Sequence, residues 1–225
     1  MRIVRAAGVE GARDARGLVV VIDVLRAFTV SAYAIAGGAR EVLYVADLEQ
    51  ARELASRIPG AVLSAEVDGL PVAGVEISNS PTMIAAADLS GRTLVQRSSA
   101  GVQSLAAAAG ASRLFAAGLV VAGATARCVR ELMPELVTLV ESRPDHPEDA
   151  ACAAHLAVLL EGGSSDLEAL LAPLRTSGRY VELSSGRVAG FPASDLDLAL
   201  ELDRFDFCLP VERAEGGLLR VRRSP

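Results

Sequence analysis

The chain has 225 residues, enough to bury about 70% of the surface its unfolded form would expose, so its core needs no staple. Half of it is apolar (51%), yet no apolar run reaches the ~20 residues of a membrane-spanning helix, and the net charge of −6 comes without the basic cluster that a nucleic-acid surface requires. All 22 basic residues are arginine, which excludes Walker-A, kinase and Schiff-base lysine chemistry and leaves any anion clamp to arginine and backbone N–H groups.

Residues 1–6 lack the apolar core of a secretory signal ahead of the polar stretch 10–16, so a cytoplasmic protein is expected. Residues 18–22 are continuously apolar, the pattern of a strand buried on both faces. A helix is predicted over 29–36, ending at Gly37-Gly38 as helices do at C-cap glycines. A strand over 42–45, an amphipathic helix over 48–57 stopped by Pro59-Gly60, and a strand over 62–66 follow. Residues 67–81 are rich in Gly, Pro, Ser and Asn and predict a long loop, the first place to look for ligand contacts. Further strands are expected over 93–96, 113–117 and 136–140, with helices over 102–109, 124–133 and 148–160. Beyond a glycine-serine hinge at 162–165 come a helix over 166–171, a polar stretch 177–195 and a last strand near 218–221.

Strands alternating with alanine-rich helices predict an α/β fold, a layered α/β/α arrangement with a largely parallel or mixed sheet. The order strand, small-residue loop, helix recurs near Asp23, Ser98 and Val121 without an alignable repeat. Residues 1–225 are therefore expected to form one domain, or two similar lobes with a ligand cleft between them. Cys128, Cys152 and Cys208 are odd in number, widely spaced and never in a C-x-x-C pair, which argues against a zinc site and a disulfide framework; buried apolar roles are expected for them. Neither nucleic acid nor membrane is an expected partner, and a homo-oligomer stays open.

In open α/β sheets, ligands bind beyond the carboxyl ends of the strands. Asp23 and Arg26 follow the first strand, Glu66 the third, and Arg97-Ser98-Ser99 the fourth, while Glu148-Asp149 opens a helix. Asp23 is the strongest signal, because a carboxylate at the end of a buried strand is costly unless something pairs or coordinates it. A helix N-cap or an ion pair with Arg26 would also explain it. Glu148-Asp149 could serve the helix dipole alone, and Arg97 could be a solvated strand end. His146 and His155 lack H-E-x-x-H spacing and read as structural. No G-x-S-x-G elbow or G-x-G-x-x-G fingerprint occurs. Ser98-Ser99-Ala100-Gly101, leading into a helix, could offer N–H groups to an anion or be an ordinary capped turn.

Several segments resemble one family: Val20-Val-Ile-Asp-Val-Leu-Arg-Ala27, Ala65-Glu66 with Gly69, Ser78-Asn-Ser-Pro81, Gly91-Arg-Thr-Leu-Val-Gln-Arg97, Gly123-Ala-Thr-Ala126, Glu148-Asp149-Ala-Ala-Cys152-Ala, and Phe191-Pro-Ala-Ser-Asp195 with Leu202-Asp203-Arg-Phe205. In these the chain is similar to the Mg²⁺-dependent 2-phosphosulfolactate phosphatases, the ComB-type family, over nearly its whole length. The resemblance implies hydrolysis of 2-phosphosulfolactate, a small anionic phosphorylated substrate, to 3-sulfolactate and phosphate, on the route to coenzyme M and related sulfonates. It implies Asp23, Arg26, Arg97 and Glu148 as catalytic residues, Asp23, Glu66 and Asp149 as Mg²⁺ ligands, and Asn79, Ser80, Ser98, Ser99 and Gly101 as substrate contacts. The chain departs from the family pattern at Ala100-Gly101-Val102, where Asn-Gly-Thr is usual, and at Gly118-Leu119-Val120-Val121, where Ser-Phe-x-Asn is usual. Each hydrogen bond lost to a charged group costs about 1.5–3 kcal/mol. The leading expectation is thus a Mg²⁺-dependent phosphatase of 2-phosphosulfolactate or a related phosphomonoester. The rival is a non-catalytic member that binds an anionic metabolite. A haloacid-dehalogenase-type enzyme is disfavoured because Asp23-Val-Leu lacks a second aspartate.

Overall fold

The computed structural model describes residues 1–214 and 217–222. In chain order the first half runs β1 (Arg2–Ala7), α1 (Gly8–Asp14), β2 (Gly17–Ile22), α2 (Ala27–Ala36), β3 (Glu41–Tyr44), α3 (Leu48–Arg57), β4 (Val62–Val67), β5 (Leu70–Pro71), α4 (Pro81–Ala86), β6 (Thr93–Arg97) and α5 (Gly101–Ala107). The second half runs β7 (Ala111–Ala117), a 3-10 turn (Leu119–Val121), α6 (Ala122–Glu131), β8 (Leu136–Glu141), α7 (Pro147–Leu160), α8 (Leu167–Arg175), α9 (Gly178–Ser184), α10 (Ser194–Leu200), β9 (Leu209–Arg213) and β10 (Leu219–Arg222).

The strands form one mixed sheet in the order β1-β8-β2-β7-β9-β10-β3-β6-β4-β5. β1, β8, β2 and β7 are mutually parallel, as are β3, β6 and β4. The antiparallel pair β9-β10 joins these halves, so they run in opposite senses across it. Twist of about 20–25° per strand pair accumulates across the intervening steps, and the sheet wraps round α2. The side chains show the wrapping: α2 packs in one core with Val19 and Val21 of β2, Val42 and Tyr44 of β3, and Leu94 of β6. The opposite face of β2, through Leu18, Val20 and Ile22, packs with α6, α7 and α8. This is the α/β class read from the sequence, and the continuously apolar run at β2 is two-faced as that reading required.

α2 follows from its sequence by the same reasoning. Residues 27–35 are buried all round, and a helix without a polar face belongs in a core. Two of its three hydroxyls are satisfied internally: Thr29 Oγ1 donates to Val24 O and Ser31 Oγ to Gln96 Oε1, while the Tyr33 hydroxyl is buried without a partner among the described residues. No described helix is long and apolar enough to cross a membrane.

Three expectations need correction. The loop at 67–81 contains a hairpin, in which β4 and β5 pair antiparallel through Asp68-Gly69, both at positive φ. Asp-Gly is the residue pair a type I′ turn selects, so the signal was present in the sequence. The polar stretch 177–195 carries α9 and the start of α10. Cys128 and Cys208 form a disulfide, while Cys152 is buried and free. β9 pairs with β7, beside α6, and so brings together two cysteines that the spacing argument kept apart. β1 and α1 were not read at all, because β1 is an edge strand whose arginines break the apolar pattern.

Candidate active site

A cavity of about 390 Å³ opens where the carboxyl ends of β2 and β4 meet the segments after β6 and β8. One wall comes from the β2–α2 connection, the β4–β5 hairpin and the β6–α5 turn. The facing wall comes from the β8–α7 loop, α9 and the α9–α10 segment.

Asp23 stands one residue past β2 and is 4% exposed. Its Oδ1 accepts from Ala27 N, the first residue of α2, at 2.9 Å, but Arg26 and not Asp23 occupies the N-cap position. Gly101 N donates to the same carboxylate, and α5 approaches so closely that a Cβ on Gly101 would lie 2.6 Å from Asp23 Oδ2. Only glycine fits there. Burial raises the Asp23 pKa to about 6 against the lowering effect of the Ala27 N–H, and the charge of Glu66 pushes the same way as burial.

Glu66 is placed by the Asp-Gly hairpin: Gly69 N donates to its Oε2 at 2.6 Å, and Ser99 contributes its N–H to Oε1 and its hydroxyl to Oε2. Arg97 lies beneath this arrangement and does not line the cavity; it donates to the carbonyls of Glu66 and Ala46 and to Ser99 Oγ. Ser98 Oγ accepts from Val102 N and opens α5.

Arg26 lines the cavity but does not pair with Asp23. Its Nη1 donates to Asp195 Oδ2 at 2.7 Å and to Gly190 O at 2.6 Å, and its guanidinium lies 4.4 Å above the ring centre of Phe191. Asp195 is fully buried and also accepts from Ser80 Oγ and Thr82 N. Ser80 is thus spent on Asp195 and on capping α4, whereas Asn79 lines the cavity with its Oδ1 held by Gln96 Nε2.

Glu148 and Asp149 are both fully buried and neither lines the cavity. Asp149 accepts from Val24 N and Ser142 Oγ, each at 2.8 Å, which locks the β2–α2 connection to the end of β8. Burial holds its pKa well above the ordinary carboxylate range, with the charges of Asp23 and Glu148 acting in the same direction. Glu148 Oε1 accepts from Arg179 Nη2 at 2.8 Å and Nε at 3.2 Å.

Of the residues read from the sequence, Asp23, Arg26, Glu66, Asn79 and Ser99 line one cavity, and Gly101 touches Asp23. Arg97, Ser80, Ser98, Glu148 and Asp149 sit behind it. Sequence reasoning missed Arg143, Arg179 and Phe191, and read His146 as structural, although all four line the cavity. Burial, followed by the Arg179 charge, lowers the His146 pKa to about 4. Phe191 and Asp195 stood together in one quoted motif, which was the available signal for Asp195.

Residues 5–180 match the family described as 2-phosphosulpholactate phosphatase. The chain belongs to the 2-phosphosulfolactate phosphatase family. Among its relatives in that family, a protein of Bacillus subtilis (strain 168) described as a probable 2-phosphosulfolactate phosphatase is 36% identical over 145 residues, covering 64% of each chain. One from Carboxydothermus hydrogenoformans with the same description is 37% identical, covering 63% of this chain and 60% of its own length. One from Thermoplasma acidophilum, again so described, is 29% identical over 186 residues, covering 82% and 81%. The chain thus spans less than two thirds of the first two relatives. The family match contains Asp23, Arg26, Glu66, Glu148 and Arg179; Phe191 and Asp195 lie beyond it.

Proposed function

We propose that the protein is a phosphoric monoester hydrolase that converts 2-phosphosulfolactate, or a closely related anionic phosphomonoester, and water to 3-sulfolactate and phosphate, with Mg²⁺ as cofactor. The observation that carries the reading is the meeting of Asp23, Glu66 and Arg26 in one cavity of a chain in this family.

Charge supports the cofactor. Five lining carboxylates (Asp23, Glu66, Asp68, Asp145 and Glu182) face three lining guanidinium groups (Arg26, Arg143 and Arg179). A substrate bearing phosphate, sulfonate and carboxylate needs a further cation there. The Asp23 pKa is raised mainly by burial, and the Glu66 charge adds to it. No cluster of three His, Cys, Asp or Glu side chains with metal-binding geometry occurs among the described residues. Mg²⁺ does not require such a cluster, because it keeps several waters and is bound through one or two carboxylates plus substrate phosphate. Asp23 and Glu66, which line the cavity, would hold it; Asp149 does not reach the cavity wall. When bound, Mg²⁺ supplies charge neutralisation to the phosphoryl oxygens. Arg26, with its Nη1 anchored and its other N–H groups free of hydrogen bonds among the described residues, offers donors to the same group.

The rival reading, a binder without turnover, rested on three apolar residues. Val102 and Val121 belong to the core round α2 and cannot touch a ligand in the cavity, which leaves Ala100 alone on its wall. Phosphate release from 2-phosphosulfolactate, measured with and without Mg²⁺ beside an Asp23→Asn variant, tests the proposal. Mg²⁺-dependent turnover lost in the variant is expected; equal activity in both proteins would remove Asp23 from the mechanism. Calorimetric binding without any phosphate release would favour the rival.

A further inference from the structure

We propose that Arg179, held in place by Glu148, is the specificity-determining residue of the cavity and takes a second oxyanion of the substrate, a sulfonate or carboxylate, away from the phosphoryl group. This inference rests on the phosphomonoesterase reading for its substrate but not for its geometry.

α9 presents one face to the cavity: Arg179, Glu182 and Leu183, at i, i+3 and i+4, all line it. Leu25, Leu183, Val188 and Phe191 make part of the lining apolar, and the Glu148 carboxylate that Arg179 meets is fully buried, where a low dielectric strengthens a hydrogen-bonded charge pair. Each of the three lining arginines has a different hold. Arg26 is anchored to Asp195 beside Asp23, at the end where the phosphoryl group is proposed to bind. Arg143 is tied to Asp145 with both side chains about half exposed, where solvent screens the charge. Arg179 sits against a carboxylate with no exposure at all, and donates through both Nε and Nη2 to the single oxygen Oε1 of Glu148. One edge of the guanidinium plane is thereby fixed, and Nη1 has no hydrogen bond among the described residues. A planar fork presented in this way matches the geometry of carboxylate and sulfonate oxygens.

Glu148 gains little else from its position. Its Oε2 is buried without a partner, and so is the neighbouring His146 Nδ1. A buried carboxylate is retained at considerable cost when half of it is unpaired. Holding Arg179 accounts for that cost, and makes Glu148 a positioning residue acting through Arg179. Sequence reading gave Glu148 a direct catalytic role; the geometry sets it one residue back from the cavity.

The test compares the wild type with Arg179→Gln and with Glu148→Gln/Arg179→Gln, in which no buried carboxylate is left unpaired should the single variant fold poorly. Two substrates are needed: 2-phosphosulfolactate, and isopropyl phosphate, the same secondary phosphate without the two other anions. The preference for the first over the second, as the ratio of their kcat/KM values, is expected to fall tenfold or more, mainly through KM. Calorimetric binding of 3-sulfolactate, which lacks the phosphate, is expected to weaken by a similar factor. An unchanged ratio with unchanged 3-sulfolactate binding in a folded variant would overturn the inference while leaving the hydrolase reading intact. If the wild type hydrolyses neither ester but 3-sulfolactate binding still depends on Arg179, the hydrolase reading fails and this one stands.

Discussion

Arg26 and Asp195, 169 positions apart in the chain, meet at 2.7 Å with side-chain exposures of 4% and 0%. Asp195 binds the guanidinium through one oxygen and the start of α4, through Ser80 and Thr82, with the other. The Arg26 guanidinium in the cavity wall is therefore oriented by the C-terminal part of the chain. Removing one partner of such a pair leaves the other charge buried alone, at about 3–5 kcal/mol. Asp195→Ala should lower the urea midpoint by an amount corresponding to that loss, and Mg²⁺-dependent turnover should fall with it. An unfolding free energy within about 0.5 kcal/mol of the wild type would show that Arg26 finds another partner.

The pH dependence of stability separates two groups that line the cavity. Asp23 titrates near 6 when folded, chiefly because it is buried, against 3.8 as its ordinary value. Between these values the folded state holds a proton that the unfolded state has lost, so this group makes stability fall as pH rises from about 4 to 6. His146 is lowered to about 4 by burial, so the unfolded state holds the extra proton between about 4 and 6.5, and this group makes stability rise over nearly the same window. Relative to the wild type, Asp23→Asn should gain stability progressively as pH rises from 4 to 6, on the order of 3 kcal/mol above pH 6, while losing activity. Thermal melts of the metal-free protein across this range would check it. A constant difference between variant and wild type from pH 4 to 7 would place the Asp23 pKa outside the window.

Much of the fold could be read from sequence because burial is written into composition: 18–22 could only be a two-faced strand, and the helix read over 29–36 has no polar face to turn to solvent. The site was legible where a charged residue follows such an element directly, as at Asp23, Arg26 and Glu66. It was not legible where the charge is brought in by chain reversal. Arg179 sits in a short helix too brief for periodicity to register, and the partnership of Arg26 with Asp195 depends on how α10 docks on α4. Arg97 shows the converse error, since a strand-end arginine looks available until its carbonyl partners are known.

Asp149 offers a sharper distinction between holding metal and holding backbone. Asparagine can keep both of its contacts, accepting from Val24 N through Oδ1 and donating to Ser142 Oγ. It also removes a buried charge that the charges of Asp23 and Glu148 disfavour. Asp149→Asn is therefore expected to match or exceed the wild type in thermal stability, with Mg²⁺ affinity changed less than threefold. A loss of tenfold or more in Mg²⁺ affinity would make Asp149 a ligand after all.

The Cys128–Cys208 bond closes a loop with a sequence separation of 80, and that loop contains Arg143, His146, Glu148, Arg179 and Asp195. One whole wall of the cavity is thus fastened at both ends to α6 and β9, next to β7. In the chain-entropy account a loop of this length is worth about 4 kcal/mol against the unfolded state. Under non-reducing conditions Cys208→Ser should unfold at a lower denaturant concentration than the wild type. A thiol reductant should bring the wild type down to the variant while leaving the variant unmoved. Thiol counting gives an independent reading: the buried Cys152 alone should react when the oxidised protein is denatured, and all three cysteines after reduction. Three reactive thiols in unreduced, denatured protein would mean that the tie does not form, and the reductant would then have no effect on the melting of the wild type.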